Sequence, residues 1–286
     1  MRALGLWLAC VFWAISFIAS KAALESAPPL TVVALRLLIA AACFLVWFAV
    51  KGRPKVASWP RIFVLSLLGT SLHYGTQTAG LQYTAASNAS LYAATCPVFI
   101  ALTAFFFLKE RLSGRKALGI LLALAGVLAA MGPRTLFSLE FRGHLWGDFL
   151  VLVSIYLWAL FTVYSKKLCA ESGAMDLLGL ATLVGAATML PVGAAEFWWR
   201  GASIGAITLK SWLAIGFLGL TCSFLATLLY FLALERTESQ KVGVYLYTIP
   251  PMTYAAAWML LGERVGWSLA LGSALVLAGV HLTERG

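Results

Sequence analysis

The sequence predicts an all-α integral membrane protein, with ten transmembrane helices arranged as two inverted five-helix repeats around a central cavity. Three observations lead to this fold class: the composition, a series of ten apolar runs, and an internal repeat. Hydrophobic residues make up 62% of the 286-residue chain, charged residues 11%, and the mean hydropathy is +0.90. Soluble domains carry about 25% charged residues. The composition therefore assigns nearly the whole chain to membrane spans of about 20 residues.

The internal repeat aligns residues 81–127 with residues 234–280 at a constant offset of 153, and 17 of the 47 positions are identical. Shared composition alone gives matches at roughly a tenth of positions. It does not explain the matched polar and proline positions, which include Thr84/Thr237, Tyr92/Tyr245, Thr95/Thr248, Pro97/Pro250 and Glu110-Arg111/Glu263-Arg264. A duplicated membrane unit is typical of transporters, whose substrate site lies where the two halves meet.

Ten apolar runs, separated by charged or turn-rich breaks, predict the helices. Their limits are 3–22, 30–50, 61–82, 87–108, 114–132, 145–165, 176–198, 211–233, 240–260 and 266–283. A break at Gly132-Pro133 opens a longer connection. The predicted domains are thus a first five-helix repeat (1–132), a connecting loop (133–144) and a second repeat (145–286). Because each repeat has an odd number of spans, the second copy is inverted in the bilayer.

The distribution of Lys and Arg orients the chain. With the amino terminus in the cytoplasm, inner segments hold 14 of these residues and outer segments hold six. Cytoplasmic loops carry such an excess, so both termini are predicted to be cytoplasmic. The net charge of +10 lies in short loops, which favours a role in topology over nucleic-acid binding. The five cysteines have no metal-ligand or disulfide spacing, and no cofactor is predicted.

Polar and aromatic side chains inside the spans are the candidate substrate-binding residues, because polar groups cost free energy in hydrocarbon unless they face protein or water. In the third span, His73 and Gln77 share a helical face beside Tyr74. The alternative is that these groups only bond a neighbouring helix. The other candidates, from spans one, four, six, eight and nine, are Trp13, Asn88, Tyr92, Trp158, Ser223, Tyr230, Tyr245 and Thr248.

Two prolines and one arginine complete the candidates. Pro97 and Pro250 interrupt corresponding spans and each frees a backbone carbonyl one turn back. A helix break at the same place in both halves indicates a binding site, although a packing kink is the alternative. Arg36 is the sole cation well inside a predicted span. Its guanidinium either binds a substrate carboxylate in bidentate fashion or extends to the outer headgroups.

Several motifs recur in the order and spacing of a known family. They are Trp13…Ser20-Lys21 with its echo Trp158…Ser165-Lys166, Leu108-Lys109-Glu110-Arg111-Leu112, and Gly262-Glu263-Arg264-Val265. Over essentially its full length, the chain resembles the ten-helix EamA type of the bacterial drug/metabolite transporter superfamily. The resemblance implies export or exchange of small metabolites, often amino acids or amphipathic compounds, across the bacterial inner membrane. It also implies a central cavity lined by helices 3, 4, 8 and 9.

Other readings of the sequence stay open. Alternating access is the expected mechanism, driven by protons or by the substrate gradient alone. The main alternative is an integral membrane enzyme acting on lipid or isoprenoid substrates, and a channel is a third reading. The expected partners are a small-molecule substrate and membrane lipids. Small-residue seams such as Gly119/Ala123 pack either within the monomer or between the subunits of a homodimer.

Overall fold

The structure, a computed structural model, describes residues 2–84, 86–137, 141–261 and 267–286. Within these ranges the chain is helical and contains no strand, which confirms the all-α prediction. The α-helices are α1 (Arg2–Leu24), α2 (Pro29–Lys51), α3 (Trp59–Ser66), α4 (His73–Tyr83), α5 (Ala86–Ala93), α6 (Cys96–Thr103), α7 (Gly114–Phe137), α8 (Phe141–Ser172), α9 (Ala174–Trp199), α10 (Leu209–Phe217), α11 (Thr227–Leu234), α12 (Ser239–Gly243), α13 (Ile249–Leu261) and α14 (Trp267–Glu284).

Short segments of other helical types connect some of these helices. A π-helical segment, Leu67–Leu72, joins α3 to α4, and a second, Leu218–Ala226, joins α10 to α11. A third, Ala104–Leu108, extends α6. The 3₁₀ segment Val244–Thr248 joins α12 to α13. Extra π-helical turns often occur at functional sites, and the π-helical segment Leu67–Leu72 leads directly into α4, which lines the cavity described below.

Among the described residues, five helices have the length and composition of membrane spans. They are Ala3–Leu24, Pro29–Lys51, Leu145–Ser172, Ala174–Trp199 and Leu209–Leu234. The predicted spans over 3–22, 30–50, 145–165, 176–198 and 211–233 are therefore confirmed as apolar helices of sufficient length. Large apolar side chains such as Phe106 and Leu121 are exposed on the outer surface. Lipid tails solvate such side chains, so a membrane protein can leave them outside its packed interior.

The predicted connection over 133–144 is largely helical, which corrects the expectation of a loop. α7 continues to Phe137, and α8 begins at Phe141. Residues 138–140 lie outside the described residues. A proline removes one backbone hydrogen bond, and a membrane helix can continue when its other backbone groups stay satisfied. α7 therefore passes through Pro133, where the sequence predicted its end. The repeat boundaries themselves stay a prediction.

Packing pairs elements from the two sequence halves. α2 packs against α9, and α7 packs against α14. α1 contacts the rod formed by α10, Leu218–Ala226 and α11, and it also contacts α13. On the other side, α8 contacts the rod formed by α3, Leu67–Leu72 and α4, together with α5 and α6. α1 and α8 are thus the two central helices around which the remaining elements are placed.

Glycines allow α7 and α14 to approach closely. A Cβ atom added to Gly279 would lie 2.6 Å from the backbone nitrogen of Ala123 and 2.6 Å from the carbonyl oxygen of Gly119. One added to Gly126 would lie 2.6 Å from the backbone nitrogen of Val276. The Gly119/Ala123 seam therefore packs within the monomer. The homodimer stays a prediction.

Candidate functional site

A cavity lies between the two central helices, α1 and α8, and is also bounded by α2, α4, α5, α6, Val244–Thr248 and α13. Its volume is about 70 Å³. Small-molecule sites occupy about 300–1,000 Å³, so the cavity in this conformation is smaller than a site that encloses a whole metabolite, and it must widen to admit one. Six of the predicted site residues line it: Trp13, Arg36, His73, Tyr74, Gln77 and Trp158.

The described lining also includes residues that the sequence analysis did not single out. They are Ser16, Phe17, Ala93, Cys96, Ile155, Leu246 and Ile249. Most are apolar, and an apolar residue inside a membrane span gives no signal that separates a cavity wall from a packed core. Cys96 and Ile249 directly precede Pro97 and Pro250, and this position is the one sequence signal that could have identified them.

An aromatic cluster forms one wall. The rings of Trp13 and Trp158 meet edge to face, with centroids 5.4 Å apart. Tyr230 is fully buried and packs on both tryptophans, at 5.3 Å from Trp13 and 5.8 Å from Trp158. Tyr230 is not part of the described cavity lining, and its role as a substrate contact stays a prediction. It supports the tryptophans, because its ring fills the space behind them.

His73 has a fixed orientation at the cavity. Its Nδ1 lies 2.8 Å from the backbone carbonyl oxygen of Ser154. Because a carbonyl oxygen only accepts hydrogen bonds, Nδ1 carries the proton, and Nε2 of the neutral ring is an acceptor. The ring also contacts Tyr74 at 4.8 Å and Trp158 at 5.1 Å between centroids. Gln77, four residues further along α4, is half-buried in the same lining.

Arg36 faces the cavity, so its side chain does not extend to the outer headgroups. It is 2% exposed. Its Nε donates to Ser223 Oγ at 2.8 Å, and its Cζ lies 4.2 Å from the centroid of the Tyr74 ring. Ser223 thus contacts Arg36 and is not part of the described lining, and its role as a direct substrate contact stays a prediction.

In the eighth span, the spacing of Ser223, Thr227 and Tyr230 at i, i+4 and i+7 predicts one polar stripe on an α-helix, but the structure divides this stripe. Ser223 lies in the π-helical segment Leu218–Ala226, whereas Thr227 begins α11. A π-helical turn contains more residues than an α-helical turn, so the α-helical spacing used in the prediction does not apply across this junction. Thr227 Oγ1 lies 3.5 Å from Tyr74 Oη, while Tyr230 packs on the tryptophans.

Tyr245 and Thr248 are not part of the described cavity lining, and their contact with substrate stays a prediction. Tyr245 Oη donates to a carboxylate oxygen of Glu284, and Thr248 Oγ1 donates to the backbone carbonyl of Tyr245 at 2.7 Å. The 3₁₀ geometry explains this, because residues three apart share a face when a turn has three residues. Leu246 and Ile249 share the face on the cavity, and Tyr245 and Thr248 share the next one.

Two further predicted residues lie on α5. Tyr92, on α5, is half-buried and hydrogen-bonded to the Asp148 carboxylate, so it lies off the described lining. Asp148 also accepts a hydrogen bond from Thr84 Oγ1 at 2.5 Å. The side chain of Asn88 lies outside the described residues, and its predicted contact with substrate stays a prediction.

Helix interruptions lie next to both predicted prolines. α5 ends at Ala93 and α6 begins at Cys96, with Pro97 in its first turn. In the second half, the 3₁₀ segment gives way to α13, with Pro250 in its first turn. The first turn of a helix tolerates proline, because its N–H groups have no intrahelical acceptor. In each half, a residue preceding the proline lines the cavity.

An ionic cluster ties together one end of the bundle. Glu110 accepts hydrogen bonds from Lys166 Nζ at 2.7 Å and from the backbone nitrogen of Ser239 at 3.0 Å. Burial by itself raises the pKa of Glu110, but the hydrogen bond and charge of Lys166 and the Ser239 N–H outweigh it, so the pKa of Glu110 lies below its usual value. Glu110 therefore connects α8 to α12 instead of forming a local pair with Arg111. Its counterpart, Glu263-Arg264, lies outside the described residues.

Comparison with known proteins agrees with this architecture. The chain is 31% identical to an uncharacterized transporter of Archaeoglobus fulgidus, over 96% of this chain and 94% of the relative. A second transporter of that organism is 28% identical, over 97% and 96%. The uncharacterized transporter YvbV of Bacillus subtilis is 30% identical, over 96% and 88%.

A solved crystal structure shares the fold, with a TM-score of 0.82 at 20% identity over 99% of this chain and 97% of the other. The sequence model of the EamA-like transporter family matches residues 2–132 and 145–284. These two segments cover nearly all of the chain and include every described residue that lines the cavity. By this match and by its relatives, the chain is a multi-pass membrane protein that belongs to the EamA-like transporter family.

Proposed function

We propose that the chain is a secondary transporter of small metabolites, such as amino acids or amphipathic compounds, and that it exports or exchanges them by alternating access across the bacterial inner membrane. The observation that carries the proposal is the cavity beside Trp13 and Trp158, which occupy corresponding places in the two halves of the sequence. A binding site at the meeting point of two repeats is the arrangement from which such transporters work.

The proposal includes ten spans in two inverted repeats, residues 1–132 and 145–286. Helix packing supports it. α2 with α9, and α7 with α14, are pairs of corresponding elements. α1 packs on the rod that contains α10 and α11 as α8 packs on the rod that contains α3 and α4. An exchange of the two halves therefore maps the main contacts onto each other, as an inverted repeat requires.

Two local features support the same symmetry. The π-helical segments Leu67–Leu72 and Leu218–Ala226 overlap when the offset of 153 is applied. The same offset relates Tyr74 to Thr227, and their hydroxyl oxygens lie 3.5 Å apart. Equivalent residues approach one another only near a pseudo-two-fold axis, so the cavity beside Tyr74 lies close to that axis.

The ionic cluster around Glu110 is proposed to close one side of the cavity. On α8, Lys166 follows Trp158 by eight residues, which is about 12 Å along an α-helix. The excess of Lys and Arg in the segments at this end makes it the cytoplasmic side. In alternating access this cluster must open when the cytoplasmic side is exposed, and both termini lie on that side.

The test is transport by purified protein in proteoliposomes, preceded by metabolite export profiling of cells that overexpress it to select solutes. We expect saturable counterflow of at least one exported solute. His73→Ala and Gln77→Ala should abolish it while the protein remains folded. Thr76→Ala is the matched control, because Thr76 neighbours Gln77 on α4 but is not in the described lining. Normal counterflow in both cavity variants would contradict the site.

The same preparation tests the alternative of a membrane enzyme that acts on lipid or isoprenoid substrates. A transporter delivers the solute unchanged to the other side of the bilayer. An enzyme produces a covalently altered lipid or isoprenoid, which mass spectrometry of the proteoliposomes detects. Protein-dependent formation of such a product, without solute movement, would replace the transport proposal.

A further inference from the structure

We infer that the cavity binds an organic monoanion, specifically a carboxylate carried on an aromatic or apolar body, and that Arg36 is the residue that contacts the carboxylate. This inference rests on the proposed function and narrows its substrate class. It follows from four observations on the cavity. Arg36 has no ionic partner among the described residues, its side chain is held in one orientation, the described lining contains no acidic residue, and aromatic rings form one wall.

Arg36 has no ionic partner in the described part of the chain. The ion pairs there join Lys116 to Glu238, Lys166 to Glu110, Arg200 to Glu196, and Lys210 to Glu25. Of the eleven acidic residues in the chain, only Glu140 and Glu263 lie outside the described residues. A buried charge destabilises a protein unless it is paired, and Arg36 is 2% exposed. Its charge is therefore available to a ligand.

The orientation of Arg36 leaves its terminal nitrogens available. Ser223 accepts from Nε at 2.8 Å, and the Tyr74 ring lies under Cζ at 4.2 Å. Nη1 and Nη2 make no hydrogen bond to the described residues, although the side chain lines the cavity. A guanidinium held in one plane, with two free donors, matches the two oxygens of a carboxylate. Because the fork is already positioned, binding costs little side-chain entropy.

The charge balance of the cavity favours a net anion. Its described lining contains Arg36 as the one permanently charged side chain, and it contains neither Asp nor Glu. The positive charge of an amine or a zwitterion would therefore find no carboxylate here. Asp148, the nearest acid along α8 to Ile155 and Trp158, is instead occupied by Thr84 and Tyr92.

The remainder of the lining is mostly apolar and aromatic, which favours contact with an aromatic or apolar body. Trp13, Phe17 and Trp158 present ring surfaces, and Leu246 and Ile249 add aliphatic ones. Aromatic side chains prefer edge-to-face or offset contacts with a flat ligand. Arg36 has no counterpart in the second half, since α9 carries no arginine within its central part. The site therefore distinguishes the charged end of its ligand from the apolar end.

The test uses four ligands that share one aromatic body: 3-phenylpropionate, 3-phenylpropanamide, phenylalanine and phenethylamine. Equilibrium binding of radiolabelled 3-phenylpropionate to the detergent-purified full chain is measured, with the other three as competitors. We expect the carboxylate to bind about tenfold more tightly than each competitor, as loss of a charge-assisted contact implies. Equal or tighter binding of the amine, the amino acid or the amide would overturn the inference, as would absence of saturable carboxylate binding.

Variants then assign the contact. Arg36→Gln should reduce affinity for the carboxylate to about that of the amide, roughly a tenfold loss, while Arg36→Lys keeps the charge and a part of the affinity. Arg61→Gln, at an exposed arginine on α3, is the matched control and should bind as the wild type does. Unchanged affinity in Arg36→Gln would overturn the role of Arg36. If Arg36→Gln does not fold, the comparison of the four ligands on the wild-type protein still tests the inferred ligand class.

Transport is measured separately from ligand binding. If the carboxylate binds as expected but proteoliposomes show no counterflow, the ligand class stands and the proposed function fails. If another solute is transported while 3-phenylpropionate does not bind, the proposed function stands and the inferred ligand class fails.

Discussion

Trp13 and Trp158 meet edge to face at a centroid separation of 5.4 Å, although they lie 145 positions apart in the chain. Trp13 is on α1 and Trp158 on α8, the two central helices, and each is followed by a Ser-Lys pair at the same distance. Their contact brings the sequence repeat and the cavity to one place. The repeat is therefore directly related to the site, and not only to the general architecture.

The two tryptophans should contribute similarly to ligand binding. We expect Trp13→Phe and Trp158→Phe each to weaken binding of a cavity ligand by about 2- to 13-fold, because the loss of aromatic contacts costs about 0.5–1.5 kcal/mol. Competition binding on the purified variants measures this. Trp199→Phe, at an exposed tryptophan remote from the lining, serves as control. Unchanged affinity in both cavity variants would contradict the placement of the ligand beside this wall.

Ser223 should act through Arg36. Ser223→Ala removes the acceptor for Arg36 Nε, and hydrogen bonds to charged groups contribute about 1.5–3 kcal/mol. We therefore expect about a tenfold loss of affinity for the carboxylate and little change for the neutral amide. Ser223→Thr retains the hydroxyl and should restore binding. An equal loss for both ligands would mean that Ser223 supports the fold generally and does not position Arg36.

Glu110 should stabilise the protein in a pH-dependent manner. The folded-state pKa of Glu110 lies below its unfolded value of about 4.3. A group with a lowered folded pKa contributes its full stability above the unfolded pKa and loses it as the pH falls through the folded pKa. We expect Glu110→Gln to lower the Tm at pH 7, with the difference from wild type shrinking below about pH 4.3.

The Tm of the wild type and of Glu110→Gln is measured by thermal unfolding in detergent from pH 7 down to pH 3. Glu171→Gln is the control, because the Glu171 side chain is exposed near the end of α8 and belongs to none of the ion pairs in the described residues. A Tm difference for Glu110→Gln that stays constant down to pH 3 would contradict an ionic role for Glu110.

The contact between α7 and α14 should depend on Gly279. An added Cβ would lie 2.6 Å from backbone atoms of α7, and overpacking costs about 1–3 kcal/mol. We expect Gly279→Ala to lower the Tm. Gly216→Ala, on α10, is the matched control, because its added Cβ meets no atom within 4 Å. Equal Tm values for the two variants would contradict the close helix approach.

The sequence allowed much of the cavity to be predicted wherever polarity or the repeat supplied a signal. His73 and Gln77 were found because two polar groups share a membrane helix face, and Trp13 and Trp158 because they recur in both halves. The sequence identified Arg36 as a lone cation, but it did not predict which way the side chain points. The partners that orient it, Ser223 and Tyr74, come from other parts of the chain.

The sequence did not predict where the local helix type departs from the α-helix. Tyr245 and Thr248 were chosen because they precede the proline break of the ninth span, whereas in the structure Leu246 and Ile249 line the cavity from a 3₁₀ segment and the start of α13. Ser223 was placed by α-helical spacing, but it lies in a π-helical segment, to which that spacing does not apply. Such changes depend on tertiary packing, and the amino-acid pattern of one segment does not reveal them.

Alternating exposure of the cavity is measured most directly with a single cysteine in place of Ser16, which lines the cavity, in a chain whose five native cysteines are replaced by serine or alanine. A membrane-impermeant maleimide is added to either side of oriented vesicles in which transport by the variant has been verified. We expect labelling from both sides, reduced by a bound substrate. Labelling from one side only, unaffected by substrate, would contradict a central cavity that opens to each side in turn.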